Sequence, residues 1–143
     1  MYSLHPLRNN QYLKKHQYFA VDIKVYYDTK VIKYIPYCIF LGIPTLQIPL
    51  SSYSDTYGNQ VTIPCSIISA TPSATIVYWT RNQNNIIINI NNGDSGYQGS
   101  TAGSPSLTIN FVTTGSNGVY TCFATNTIGT GSSNPTTLTI TGG

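Results

Sequence analysis

The sequence predicts an all-β protein in which two antiparallel sheets pack face to face as a sandwich. Two observations indicate this fold class. Short runs within residues 44–143 alternate apolar and polar residues with a period of two, as strands with one buried face do. A cysteine, a later tryptophan and a Tyr-x-Cys motif are also typical of such a sandwich, and they occur here as Cys65, Trp79, Tyr120 and Cys122.

The alternation predicts which side chains face the core, because two packed sheets must bury their inner faces against each other. We expect four strands to supply these inner faces. Their inward residues are predicted to be Val61, Ile63, Cys65 and Ile67; Thr75, Val77 and Trp79; Leu107, Ile109 and Phe111; and Tyr120, Cys122 and Ala124. Trp79, Tyr120 and Leu107 are the core signature of the predicted fold.

Residues 44–141 resemble an immunoglobulin-like domain of the intermediate type. The matching segments are 58–65, 77–79, 106–109 and 118–126, and residues 129–140 resemble the last strand of tandem modules in large surface proteins. The resemblance implies a disulfide between Cys65 and Cys122 across the two sheets, with Trp79 packed on it. It also implies a tyrosine corner, in which the Tyr120 hydroxyl bonds to backbone a few residues upstream.

The chain departs from the family pattern two positions before Gly118. The family usually has an acidic residue there, paired with an arginine from a neighbouring strand, whereas this chain has Ser116. The ion pair is therefore absent, and we expect the serine to bond to local backbone at the turn instead.

Charge divides the chain into a basic, tyrosine-rich N-terminal extension, residues 1–43, and a nearly neutral domain, residues 44–143. The extension contains Arg8, Lys14, Lys15, Lys24, Lys30 and Lys33 against Asp22 and Asp28. The domain contains only Arg81 against Asp55 and Asp94, and the chain has no glutamate. Its solubility must therefore depend on serine, threonine, asparagine and glutamine.

The extension is expected to contain one β-hairpin. Residues 1–18 are polar and predict an arm that is mobile or ordered by a partner. Residues 19–35 alternate as two strands do and predict the hairpin. Residues 35–50 are apolar but too short and too rich in proline for a spanning helix, so no membrane span is expected in the chain. Residues 37–42 resemble a short hydrophobic region of a secretion signal; the other interpretation is an apolar linker running into a strand at 45–48.

The cysteines bear on the compartment. A disulfide between two of them implies an oxidising environment, so we expect an extracellular or cell-surface location, or alternatively a virion surface. Cys38 is left over, and it is either a buried free thiol or the site of an intermolecular disulfide.

The chemistry of catalysis is missing from the predicted sandwich. Both histidines, His5 and His16, lie in the arm, and paired carboxylates would need Asp55 and Asp94, which nothing places together. The loop at Asp94 fails the spacing of a calcium-binding loop. We therefore expect no enzyme activity, no cofactor, no metal and no small-molecule substrate. Nucleic acid is an unlikely partner because lysines also protect exposed strand edges from aggregation.

The outward faces predict a protein-binding surface. If Val77, Trp79, Tyr120 and Cys122 point inward, their neighbours point outward, and the apolar ones among these neighbours are Ile76, Tyr78, Val119 and Phe123. Exposed apolar patches mark interaction surfaces. The patch is expected to be covered by the hairpin of the same chain, by a second copy or by another protein.

Two functions are consistent with these features. The first is a non-enzymatic binding module for adhesion or recognition at a cell or particle surface, which binds a protein partner or associates with itself. The second is a structural subunit of a virion or surface fibre that assembles through its arm and hairpin.

Overall fold

The structure, a computed structural model, describes residues 4–6, 17–27 and 30–143, with side chains from residue 41 onward. The chain divides into two compact units, Met1–Gly42 and Ile43–Gly143.

The first unit contains the predicted hairpin. Strand β2 (Gln17–Tyr27) pairs antiparallel with strand β3 (Lys30–Gln47), and the pairing begins with Tyr27 opposite Lys30. The register shifts between Val25 and Tyr26. The prediction of a hairpin is therefore confirmed, and its strands are longer than the predicted 19–35.

Two expectations for the extension need correction. Part of the expected arm is strand β1 (Leu4–Pro6), which pairs antiparallel with β2; residues 1–3 and 7–16 of that arm lie outside the described residues. The expected apolar linker is also largely strand, because β3 continues to Gln47. Its aromatic and β-branched residues favour extended backbone, and a proline is tolerated in a strand wherever its missing N–H is not needed by the ladder. Pro36 lies within β3, opposite Asp22.

The second unit contains ten further strands: β4 (Ser52–Thr56), β5 (Val61–Ile63), β6 (Ser66–Thr71), β7 (Ile76–Gln83), β8 (Ile86–Asn91), β9 (Tyr97–Gly99), β10 (Leu107–Ile109), β11 (Gly118–Thr125), β12 (Thr130–Ser132) and β13 (Thr136–Thr141). One sheet has the order β5-β10-β9. Another has the order β4-β13-β11-β7-β8, with β12 paired to β11. The pairs within these two sheets are antiparallel except for β13 with β4.

The core lies between these two sheets and uses most of the predicted inward residues. Trp79, Tyr120, Leu107 and Cys122 are fully buried. A disulfide joins Cys65, which follows β5, to Cys122 on β11. The all-β sandwich with an inter-sheet disulfide is therefore confirmed.

Cys38 lies in β3 opposite Ala20. Because Cys65 and Cys122 are bonded to each other, Cys38 is bonded to neither of them. Its side chain lies outside the described residues.

Two of the predicted inward residues, Phe111 and Thr75, are not in the core, and a third, Ile67, packs against the core but is only half-buried. Phe111 is 56 % exposed, and Val112 is buried instead. The physical reason is that β10 ends at Ile109. Beyond that point the N–H of Asn110 donates to the Gly96 carbonyl and the N–H of Val112 donates to the Asn59 carbonyl, so the alternation shifts by one residue. Phe111 instead packs edge-on against Tyr57, with ring centroids 5.5 Å apart.

The other two exceptions lie at strand ends. Thr75 is exposed because it precedes the first residue of β7, although its N–H donates to the Thr125 carbonyl at 2.9 Å. Ile67 packs against the core as predicted, but it is only half-buried because the strand is interrupted between β5 and β6. The period of two therefore holds only while the ladder continues.

Candidate surface on the outer sheet face

The outer face of β7 and β11 contains a stacked aromatic pair. Residues on these strands alternate, so Trp79 and Cys122 point into the core and Tyr78 and Phe123 point outward. The register places Tyr78 directly opposite Phe123. Their rings are parallel within 5° and their centroids lie 4.9 Å apart.

Ile76 extends this pair towards the end of the strand. It lies two residues before Tyr78 on the same face, opposite Thr125, and it is 57 % exposed. The Thr125 hydroxyl is hydrogen-bonded to that of Thr130 at 2.8 Å, which holds β12 beside β11 at this point. We call Ile76, Tyr78 and Phe123 the aromatic patch.

Val119, the fourth residue of the predicted surface, lies apart from the aromatic patch. It is opposite Asn82, four residues along β11 from Phe123, and the Thr80–Thr121 row lies between them. Four residues of a strand span about 13 Å. The outer face therefore has two separate apolar ends with a polar row in the middle, rather than the single patch that the sequence predicts.

Ile87 belongs to the second apolar end, and sequence reasoning did not identify it. It lies opposite Asn82 on β8 and is 64 % exposed. The signal for its placement is the two-residue turn at Asn84 and Asn85, both of which have positive φ. A two-residue turn with positive φ at both positions favours asparagine and closes a tight hairpin, so the turn fixes which residue of β8 lies beside each residue of β7.

The core side of the same strands fixes the backbone under the aromatic patch. The Trp79 indole Nε1–H donates to the Pro105 carbonyl at 2.9 Å, so this large buried side chain keeps its polar atom satisfied. The N–H of Cys122 donates to the Ser133 hydroxyl at 3.0 Å, and the N–H of Ser133 donates to the Cys122 carbonyl at 2.8 Å. The disulfide to Cys65 and the two hydrogen bonds to Ser133 together fix the position of Cys122 in the middle of β11.

The predicted tyrosine corner is present at the start of β11. The buried Tyr120 hydroxyl donates to the Ser116 carbonyl at 2.7 Å. Burial raises the pKa of Tyr120 to about 12, although the nearby Arg81 side chain acts in the opposite direction. The neutral phenol is the form that this site stabilises.

The residues that replace the family's ion pair bond to backbone. The Ser116 hydroxyl accepts from the N–H of Thr113 at 3.1 Å and so closes the turn before β11. The Arg81 guanidinium donates to the Gly115 carbonyl in the same turn. The expectation that Ser116 bonds locally is confirmed, and Arg81 anchors the turn without a carboxylate.

The two carboxylates of the second unit are used in turns. Asp55 accepts from the Asn59 side chain and the Thr56 N–H, both at 2.7 Å, and these bonds lower the pKa of Asp55. Asp94 accepts from the N–H of Asn91 at 2.8 Å. Neither carboxylate belongs to the outer face of β7 and β11.

The described residues hold no group of three or more histidine, cysteine and acidic side chains arranged to bind a metal ion. In the same part of the chain, no helix has the length and apolar character that crossing a membrane requires.

Comparison with known families identifies the family of the second unit. A family model described as an immunoglobulin domain matches residues 43–126. No curated protein matches the chain.

Proposed function

Because the chain belongs to the immunoglobulin-domain family, we propose that it is a non-enzymatic recognition module that binds a protein partner through the aromatic patch. The stacked pair Tyr78–Phe123 is the observation that carries this proposal. The two side chains are half-buried and lie on a sheet face whose neighbouring residues include threonine, serine and asparagine. The family and the disulfide support an extracellular or surface location.

The patch has the composition of a binding centre. Tyrosine and phenylalanine are enriched at protein interfaces, whereas charged residues are depleted at their centres. The pair is already held in one arrangement by stacking and by strands with a satisfied core side, so little conformational entropy is lost when a partner covers it. The polar row of Thr80 and Thr121 provides hydroxyls at its rim.

The test measures binding of the full chain to cells of the source organism and compares the parent with two double variants. Each protein is labelled and multimerised before it is added to the cells. We expect saturable binding that protease treatment of the cells removes. Tyr78→Ser with Phe123→Ser should abolish it. Leu50→Ser with Phe111→Ser removes two apolar side chains outside the aromatic patch, each 56 % exposed, and should leave the binding unchanged.

Three results would overturn the proposal: no saturable binding by the parent chain, binding that protease treatment leaves intact, or binding that survives the loss of Tyr78 and Phe123. Both variants should melt within a few degrees of the parent, because all four positions lie outside the core.

A second candidate function, a structural subunit of a virion or surface fibre, is favoured by the first unit. The described part of that unit consists of consecutive antiparallel strands, β1, β2 and β3, in a chain segment with six basic and two acidic residues. In this case assembly would depend on residues 1–43. Deleting them should then abolish ordered assemblies in electron micrographs, whereas the loss of Tyr78 and Phe123 should not.

A further inference from the structure

Strand β8 is an open edge of the larger sheet. In the order β4-β13-β11-β7-β8 it is the last strand, so one side of its backbone has no neighbouring strand among the described residues. Its six residues, Ile86–Asn91, comprise four isoleucines and two asparagines. Ile86 and Ile87 are 68 % and 64 % exposed, among the largest exposures of apolar side chains in the second unit.

The usual protection of an edge strand is absent from β8. Edge strands are commonly blunted by lysine, proline, a bulge or very short length. β8 contains no charged residue and no proline, and its pairing with β7 runs without a register shift from Ile86 to Asn91. The opposite edge of the same sheet, β4, carries Asp55. Of the two edge strands of this sheet, β4 therefore has a charged residue and β8 has none.

We propose that β8 pairs antiparallel with β8 of a second copy of this chain, about a two-fold axis that passes between the Ile88 residues of the two copies. The occupant of such an edge must be an extended strand, because the exposed groups are backbone N–H and C=O. In this register Ile86 lies opposite Ile90 of the second copy, Ile88 opposite itself, and Ile87 opposite Asn89.

The alternation of β8 makes the strand complementary to itself in that register. Residues directly opposite each other in an antiparallel pair lie on the same sheet face. Ile86, Ile88 and Ile90 share the core-facing side with Trp79, whereas Ile87 and Asn89 share the outer side with Thr80. The two-fold at Ile88 therefore pairs isoleucine with isoleucine along the whole core-facing side and extends the apolar layer across the joint.

The charges of the second unit do not oppose a second copy. The second unit carries three charged side chains, Arg81, Asp55 and Asp94, and none of them lies on β8. Two copies can therefore approach edge to edge without like charges directly opposite each other. The axis is perpendicular to the sheet, so the two aromatic patches lie on the same side of the joined sheet. The dimer itself does not depend on the function proposed for those patches.

Sedimentation velocity on the full chain, from low micromolar to submillimolar concentration, tests the proposal. We expect a concentration-dependent dimer for the parent. Ile87→Lys with Asn89→Lys gives the edge the protection it lacks and should leave a monomer at every concentration. Thr137→Lys with Thr139→Lys adds the same charge to exposed positions of β13, an inner strand of the same sheet, and should dimerise like the parent.

Cross-linking tests the register. In a Cys38→Ser background, Ile88→Cys should form an intermolecular disulfide faster than Asn89→Cys, and Thr137→Cys should form none. Cα atoms opposite each other in an antiparallel pair lie about 4.5–5.5 Å apart, within the range that a disulfide spans. A parent that stays monomeric, an edge-lysine variant that dimerises as the parent does, or preferential cross-linking at Asn89 would each overturn the proposal. Dimerisation of the variant with Tyr78→Ser and Phe123→Ser would show that the β8 interface does not involve the aromatic patch.

Discussion

Trp79 and Tyr78 are adjacent on β7, and they illustrate how differently the two faces of one strand are used. Trp79 is fully buried with its indole N–H bonded to the Pro105 carbonyl. Tyr78 lies half-exposed on the other face, where its ring stacks face to face on the ring of Phe123. The inner face determines whether the domain folds, whereas the outer face carries the aromatic patch that we propose as a binding surface. Under that proposal, stability and recognition can be changed separately in this domain.

The largest effect should come from the inner face. Trp79→Ala is expected to lower the free energy of unfolding by about 3–5 kcal/mol, as large aromatic truncations in cores do. This is a large part of the roughly 5–15 kcal/mol that holds a domain together. Urea unfolding followed by far-ultraviolet circular dichroism measures the loss. Tyr78→Ala is the matched control, and a Trp79→Ala loss no larger than that of the control would contradict the comparison.

A smaller effect should appear at alkaline pH through Tyr120. Its pKa is about 12 in the folded chain and about 10 in an unfolded chain, so the folded state holds the phenol proton more tightly. The resulting contribution, roughly 2–3 kcal/mol, is fully present below pH 10 and is lost as the pH rises towards 12. Urea unfolding between pH 8 and 11.5 should show this decline.

Tyr120→Phe removes the titrating group and should be less stable at pH 8, by about 1 kcal/mol for the lost hydrogen bond to the Ser116 carbonyl. Its stability should then fall less steeply with pH than that of the parent. Equal slopes for Tyr120→Phe and the parent would mean that another group causes the alkaline loss.

The smallest effect should belong to the outer face. Stacked aromatic pairs contribute about 0.5–1.5 kcal/mol beyond the area they bury. A double-mutant cycle with Tyr78→Ala and Phe123→Ala should therefore give a coupling free energy in this range. The same cycle with Thr80→Ala and Val119→Ala, which lie in different rows of the same face, should give almost none. A coupling above that range would mean that the aromatic patch is part of the stabilising core.

The sequence by itself determined the inner faces of the long strands. Within β11 the pleat puts every second residue on one side, so Tyr120, Cys122 and Ala124 were assigned to the core from alternation alone. The disulfide and the tyrosine corner came from the resemblance, whose motifs set residue types at fixed spacing. These features could be predicted because each depends on neighbours within one strand or on a family pattern.

Only the tertiary structure decided where strands end and which strands are neighbours. Phe111 is exposed because β10 stops two residues before it, and the hydrogen bonds that turn the chain come from Asn59 and Gly96, which are distant in sequence. Val119 and Phe123 were expected in one patch, but the register against β7 places a threonine row between them. Ile86 and Ile87 are exposed because β8 is the last strand of its sheet. A period of two predicts which side of a strand a residue occupies. It does not predict which strand lies beside it, or whether any strand does, because that depends on contacts between segments that are far apart in the chain.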